Sequence, residues 1–179
     1  RANSKLGLFY LFLPKTYFFK IRAWTNKKLE GNGERPITEH KFNAYLGLEL
    51  AMSIIGFNRL KQYWSQKMFL GHSDFQSVMG RDQFLKIRTH LSLVAPDSVS
   101  VYNKSKDPLW HSRDLLNEFS QNCSNVAVPV STAALDEASM PTKARTCAKS
   151  YNAAKPAKYA IRFYAVVANS GPYIFSLQD

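Results

Sequence analysis

The chain has 179 residues, of which 45% are hydrophobic, and its 24 lysines and arginines against 13 aspartates and glutamates give a formal net charge of +11. This length fits one domain, or one domain and part of a second, and the apolar content excludes a disordered chain. Cys123 and Cys147 lie far apart and belong to no Cys/His cluster, which excludes a zinc finger and a disulfide framework.

The positive charge is concentrated towards the two ends of the sequence. Residues 1–29 contain seven basic residues and no acidic one, and residues 138–178 contain six basic residues and no acidic one. The middle, residues 30–137, is nearly neutral. Localised positive charge favours a polyanionic partner such as nucleic acid, with an ordinary solvated basic surface as the alternative. The apolar stretch 6–13 is shorter than the roughly 20 residues that span a bilayer, so we expect no membrane partner.

Helices are predicted over most of the first 125 residues. Thr16 caps a helix over residues 16–29, and Thr38 caps a second one over residues 39–55. Shorter helices are predicted from Asn58 and from Ser73, followed by helices over 81–94 and 111–123, with a loop at 95–108. In the second helix, helical spacing predicts that one face enters the core, formed by Phe42, Tyr45, Leu46, Leu50 and Ile54.

Strands are predicted after residue 125. Residues 158–171 alternate strongly, with Ala160, Arg162, Tyr164 and Val166 on one face, and residues 173–178 read as a closing strand. A first strand precedes them and leads into Asp136. The sequence therefore predicts an α+β fold, in which a helical domain at 1–125 precedes a small antiparallel three-stranded sheet with a basic segment at 126–179.

No catalytic motif can be assembled from the residues alone. The four histidines show no metal-site spacing, and no Ser/His/Asp set or Cys/His dyad is present. We therefore expect no cofactor and no small-molecule substrate. The aromatic pairs Phe18–Phe19, Tyr63–Trp64 and Phe163–Tyr164 are interpreted as core, and base stacking is open only to aromatic side chains that prove exposed.

The stretch "DEASMPTKARTCAKSYNAAKPAKYAIRFY" resembles the start of the catalytic core of piggyBac-like transposases. That family shows a D-E-x-x-M-P-x-K-G-R stretch, then a lysine and a tyrosine, then a K-P-x-K-x-G-like stretch entering a strand. The upstream segments "FNAYLGLELAMSIIGFNRLKQYWS" and "VMGRDQFLKIRTHLSLV" are similar to its helical region. The residues that match the core pattern, in order, are Asp136, Glu137, Met140, Pro141, Lys143, Arg145, Lys149, Tyr151, Lys155, Pro156 and Lys158.

The resemblance implies a three-carboxylate, two-metal centre on an RNase H-like sheet, with Asp136 as the first carboxylate at the end of the first strand. The sequence stops before the segments that would supply the other two acids. Asp179 is a poor replacement for a missing carboxylate. Its strand is expected two places from the first strand, and at about 4.8 Å between neighbouring strands the two backbones would be nearly 10 Å apart. Glu137 is expected on the opposite face from Asp136. We therefore expect no catalysis by this chain, and Mg²⁺ only if it is part of an active transposase.

Two departures from the family pattern accompany this expectation. The glycine of the K-G-R turn is Ala144 here, which matters if that position needs positive φ. The family's cysteine-rich, zinc-bearing tail is absent from the sequence. We interpret Asp136 as a strand-end carboxylate paired with a nearby lysine or arginine.

The leading hypothesis is a catalytically inactive, domesticated transposase-derived module that binds nucleic acid or a protein partner through its basic surface. The alternatives are the N-terminal part of an active DDE-type transposase, and a protein-interaction module such as an adaptor or pathogen effector. A nuclear location is expected, and pairing of an open strand edge with another chain, or a homodimer, is an expected mode of association. The candidate phosphate-binding residues are Lys143, Arg145, Lys149, Lys155, Lys158 and Arg162.

Overall fold

The computed structural model describes residues 4–67, 71–129, 132–169, 171 and 173–179. The chain divides into two compact units. One consists of Arg1–Phe18 with Asp97–Asp179 and contains the sheet, and the other consists of Phe19–Pro96 and is helical.

The described residues contain seven α-helices, one 3₁₀ turn and four strands. The helices are α1 (Lys5–Phe12), α2 (Lys15–Gly31), α3 (Glu39–Ile55), α4 (Ser73–Val78), α5 (Arg81–His90), α6 (Val101–Lys106) and α7 (Arg113–Val126), and the 3₁₀ turn is Leu60–Gln62. The strands are β1 (Ala133–Pro141), β2 (Lys149–Tyr151), β3 (Tyr159–Ala168) and β4 (Ile174–Gln178). None of the described helices is long and apolar enough to cross a bilayer.

Two helical segments differ from their predictions. Residues 5–12 form α1, where Ser4 accepts a hydrogen bond from the Gly7 amide and thereby caps the helix. The predicted loop at 95–108 contains the short helix α6, which Ser100 caps in the same way through the Asn103 amide. Both helices are short, and neither buries a residue completely, so hydrophobic periodicity gives little indication of them.

The buried face of α3 differs from the predicted one. Thr38 caps the helix as predicted. Phe42 and Tyr45 are buried as predicted, but the face continues through Leu48 and Met52. The prediction was wrong for Leu50 and Ile54, which are 51% and 85% exposed, and Leu46 is half-buried. Apolar residues surround much of this helix, so spacing alone does not select one face.

An aromatic cluster forms the core of the helical unit. Phe84 is fully buried, with its ring centroid 5.1 Å from that of Tyr45 and 5.0 Å from that of Trp64. The Trp64 indole donates to the Met79 carbonyl at 2.8 Å, which satisfies its polar atom. Tyr63 is also buried. The interpretation as core is confirmed for Tyr63, whereas Trp64 is half-buried at the edge of the cluster.

The sheet of the other unit is built around β3. β1 pairs antiparallel with β3 from Ala133–Ala168 to Pro141–Ala160, and β2 and β4 pair with successive parts of the opposite edge of β3. The predicted α+β class is confirmed. The sheet has four strands rather than three, because β2 adds three residues that are too few to show alternation. β4 lies two places from β1, as expected.

Helix α7 packs against β4 within this unit. The Ser120 hydroxyl accepts from the Leu177 amide at 3.0 Å, and the Ser124 hydroxyl donates to the Phe175 carbonyl at 2.8 Å. The Tyr173 hydroxyl donates to the Cys123 carbonyl at 2.6 Å. The predicted domain boundary at 125/126 separates helices from strands by type of secondary structure. The compact units are defined by packing, and packing joins α7 to the strands.

β1 is an edge strand in the described part of the chain. There its strand pairing is with β3 alone, and its first four residues are exposed. The segment 124–130, predicted as one of three possible covers for this edge, lies partly outside the described residues. Cover by the helical region or by another chain stays a prediction. The open edge carries unpaired backbone groups and is therefore a candidate for pairing.

Candidate nucleic-acid interface

The candidate interface consists of the loop 142–148, the strand β2, the loop 152–158 and the start of β3. Local side chains hold both loops: Thr142 Oγ1 accepts from the Ala144 amide at 3.1 Å, and Asn152 Oδ1 accepts from the Ala154 amide at 3.0 Å. The Asn152 amide donates to the Lys158 carbonyl at 2.9 Å and closes the β2–β3 hairpin. We call residues 142–161 the basic hairpin segment.

Three of the six predicted phosphate-binding residues are exposed and unpaired among the described residues: Lys143, Arg145 and Lys158. The Thr142 amide donates to the Tyr159 carbonyl at 3.2 Å. Lys143 follows Thr142 and Lys158 precedes Tyr159, so this hydrogen bond brings the backbones of the two lysines together. Because the side chains of Lys143, Arg145 and Lys158 are exposed and unpaired, their charges are available to an external anion.

The other three predicted residues have partners within the chain. Lys149 donates from Nζ to the Ala144 carbonyl at 3.0 Å. Arg162 Nε lies 3.5 Å and Lys155 Nζ 4.0 Å from carboxylate oxygens of Glu137. Hydrogen bonding to Tyr164 and the charge of Glu137 raise the pKa of Arg162. These contacts reduce the charge that Lys155 and Arg162 offer to solvent.

The six residues do not share one face of the sheet. Lys149 is the register partner of Ile161, and Arg162 is the register partner of Ser139. Ile161 and Arg162 are consecutive in β3, so their side chains lie on opposite faces. Lys149 and Arg162 therefore lie on opposite faces as well, and a nucleic-acid strand along one face would meet only part of the predicted set.

Asp136 differs from its predicted setting in two respects. It is the fourth of nine residues in β1 rather than the last, because pairing with β3 continues as far as Pro141. Its carboxylate accepts from the Glu137 amide at 2.8 Å. The predicted ion pair was wrong within the described residues, since Glu137 rather than Asp136 contacts Lys155 and Arg162. Asp136 pairs with the buried Ala165 and Glu137 with the exposed Tyr164, so the two acids lie on opposite faces as expected.

The described residues do not fit a two-metal centre at Asp136. They contain no group of three or more histidine, cysteine, aspartate or glutamate side chains that could hold a metal ion. Two ions about 3.5–4 Å apart require several convergent oxygen ligands. The Asp179 carboxylate is bonded to Arg113, with Oδ2 2.9 Å from Nη2. Ala144 does not adopt positive φ, so replacing the family's glycine there introduces no strain.

The sequence-based reasoning missed two exposed tyrosines in the basic hairpin segment. Tyr151 and Tyr159 are register partners in β2 and β3, with ring centroids 5.1 Å apart. They are 56% and 54% exposed. Of the predicted aromatic pairs, Phe163 is buried and Tyr164 is 44% exposed. The tyrosine pair could have been found only by predicting the short strand β2 and its register.

The sequence profile of the family described as Transposase IS4 matches residues 4–178. The chain belongs to this transposase family. The resemblance to piggyBac-like transposases is thereby confirmed at the level of the family. No curated protein sequence matches this chain.

Among solved structures, the chain is similar to the cryo-EM structure of a piggyBac transposase synaptic complex with hairpin DNA. The TM-score is 0.82 at 20% sequence identity. The match covers 97% of this chain and 37% of that one, so the chain spans little more than a third of the length of the protein it matches. At this identity the similarity establishes a shared fold.

Proposed function

We propose that this chain is a module that binds nucleic acid through its basic hairpin segment and, by itself, does not cut DNA. The observation that supports binding most directly is the set of cations Lys143, Arg145 and Lys158 in the basic hairpin segment, whose side chains are exposed and unpaired among the described residues. Lysine and arginine side chains in such positions supply most of the affinity for a phosphate backbone. The piggyBac transposase of the same fold forms a complex with hairpin DNA, which is consistent with this partner.

The proposal that the chain is not an enzyme by itself is supported by the surroundings of Asp136. Phosphoryl transfer at a two-metal site requires carboxylates that converge on both ions. Among the described residues, Asp136 belongs to no group of three or more metal-ligating side chains. Glu137 lies on the opposite face, and Asp179 is bonded to Arg113.

Duplex DNA binding at low salt tests the proposed function. The triple variant Lys143→Gln, Arg145→Gln, Lys158→Gln removes three positive charges from the basic hairpin segment. Its matched control, Lys41→Gln, Arg35→Gln, Lys61→Gln, removes the same three charges from exposed positions in the nearly neutral middle of the chain. We expect the first variant to bind much more weakly than the control. Equal affinities for the two variants would contradict the proposal.

The second candidate function is the N-terminal part of an active transposase. Membership of the family and the position of Asp136 within β1 favour it. In that case Asp136 contributes to Mg²⁺ binding together with acids outside this chain. A longer protein that contains this chain should then nick labelled DNA in the presence of Mg²⁺ and lose that activity in Asp136→Asn. Unchanged nicking in Asp136→Asn would exclude this candidate, whereas Asp136-dependent nicking by the 179-residue chain alone would contradict the inactive module.

The third candidate is a protein-interaction module. The open edge of β1 favours it, because edge strands accept a strand from a partner, and the 71% exposed Leu135 lies there. A homodimer formed in this way would show a concentration-dependent mass by analytical ultracentrifugation.

We also propose a nuclear location, where a DNA-binding module meets its ligand. Imaging of a fluorescent fusion tests the location.

A further inference from the structure

We propose that Tyr151 and Tyr159 form a stacking platform for an unpaired nucleotide base, so that the basic hairpin segment prefers single-stranded nucleic acid or an unpaired tip to duplex. This inference rests on the proposed nucleic-acid binding and adds the class of ligand. It depends on the geometry of two rings and of the lysine beside them.

The two rings lie side by side on the sheet surface and are open to solvent. Tyr151 and Tyr159 are opposite one another in the β2–β3 ladder, and their rings are tilted by 53° with centroids 5.1 Å apart. Each side chain is more than half exposed. Cross-strand pairing fixes both backbones, so little conformational freedom remains to be lost when a ligand packs on the rings.

A lysine borders the rings. Lys149 Nζ lies 5.2 Å from the Tyr159 ring centroid and also donates to the Ala144 carbonyl, which fixes its position. Lys158 directly precedes Tyr159 in the chain, and the Thr142–Tyr159 hydrogen bond brings the backbone of Lys143, the residue after Thr142, close to that of Lys158. Proteins that hold single strands combine rings on which bases stack with positive charge along the same groove.

The geometry favours an unpaired base over a duplex. A tyrosine ring contributes stacking only where a base face is not already covered by a neighbouring base, as in single strands, loops and ends. Within a duplex, both faces of an internal base are stacked. The duplex would therefore use the cations of the basic hairpin segment but not its rings.

Other exposed tyrosines of the described chain lack this combination. Tyr102 is 63% exposed and also has a lysine beside it, with Lys106 Nζ 4.4 Å from its ring centroid, but none of the described rings is paired with it. Tyr164 is on the opposite face from Tyr159 and hydrogen-bonds Arg162. Tyr102 therefore provides a matched control for loss of an exposed ring.

The test measures the affinity of the whole chain for a single-stranded oligonucleotide, for the same oligonucleotide with abasic sites, and for the matching duplex, all at one salt concentration. The variants are the double substitutions Tyr151→Leu with Tyr159→Leu and Tyr151→Phe with Tyr159→Phe, and the control Tyr102→Leu. We expect the leucine pair to weaken single-strand binding by about tenfold or more, as loss of base stacking does. The phenylalanine pair and the control should stay within about twofold of the wild type, because each keeps both rings of the platform.

Each outcome bears on the inference separately from the proposed function. Duplex binding with no loss of single-strand affinity in the leucine pair would overturn the platform and leave the proposed function standing. If the wild type binds none of the three oligonucleotides, both the platform and the proposed function are overturned. Circular dichroism checks whether the leucine pair folds. If it does not fold, the comparison is made with the wild type, which should bind the intact single strand more tightly than the strand with abasic sites. Equal affinities of the wild type for these two strands would overturn the inference.

Discussion

Arg113 at the start of α7 donates from Nε to Asp107 Oδ2 at 2.8 Å. The same guanidinium also bonds the carboxylate of Asp179, which follows β4. Hydrogen bonding to Arg113 lowers the pKa of both carboxyl groups. One cation therefore joins the segment before α7 to the segment after β4.

This arrangement predicts acid sensitivity of the sheet-containing unit. A carboxyl group whose pKa is lowered by folding stabilises the protein above its unfolded pKa, near 3.9, and this stabilisation is lost as the pH falls through the lowered folded pKa. Arg113→Leu should lower the free energy of unfolding at neutral pH by about 1–2 kcal/mol. The difference from the wild type should shrink below about pH 4. Urea unfolding across a pH series measures it.

The control for Arg113→Leu is Arg81→Leu. Arg81 pairs with Asp82, but the two side chains are 49% and 91% exposed. Exposed pairs contribute little, so this variant should keep the stability of the wild type. A loss in Arg113→Leu no greater than in Arg81→Leu would show that the Arg113 pairs do not hold the unit together.

Glu137 is predicted to restrain nucleic-acid binding. It contacts both Lys155 and Arg162, two residues of the predicted set. Glu137→Gln keeps an acceptor for the Ser139 hydroxyl, which lies 3.0 Å from Oε1, while removing the opposing charge. DNA affinity at low salt should rise by about two- to fivefold, the equivalent of a single weak ion pair. Fluorescence anisotropy measures this change.

Glu34→Gln is the matched control, because Glu34 pairs with Lys86 in the helical unit and the substitution changes the net charge equally. If the two variants gain affinity equally, the effect comes from net charge rather than from Lys155 and Arg162.

The aromatic core of the helical unit is predicted to carry much of its stability. Phe84→Ala removes a fully buried ring between Tyr45 and Trp64 and should cost about 3–5 kcal/mol. Ile54→Ala, in the helix face wrongly predicted as core, should change stability by less than about 0.5 kcal/mol. Thermal unfolding of both variants checks this assignment, and a comparable loss in Ile54→Ala would contradict it.

The sequence predicts the sheet well where burial follows the alternation of residues. The run from Tyr159 to Ala168 is rich in aromatic and β-branched residues over ten positions, which is long enough to predict β3, and its burial alternates through Phe163, Tyr164 and Ala165. β2 contains only Lys149, Ser150 and Tyr151, and its existence depends on pairing with β3 rather than on any local pattern. The tyrosine pair depends on the same register and could not be predicted without it.

The ion pairs of the candidate interface were unpredictable for a related reason. Asp136 and Glu137 are adjacent, and only the register of β1 against β3 decides which carboxylate lies on the face of Arg162. That register places Glu137 beside the cations and leaves Asp136 with the neighbouring amide. A shift of one residue would exchange the two roles, because strand side chains alternate.

The salt dependence of duplex DNA binding tests the central claim that Lys143, Arg145 and Lys158 bind phosphates. Each phosphate contact contributes about 0.9 to the slope of log affinity against log salt. The triple glutamine variant of these residues should therefore have a slope shallower than the wild type by about 2.7. The matched variant of Arg35, Lys41 and Lys61 should keep the wild-type slope. Equal slopes for wild type and the Lys143, Arg145, Lys158 variant would contradict the account.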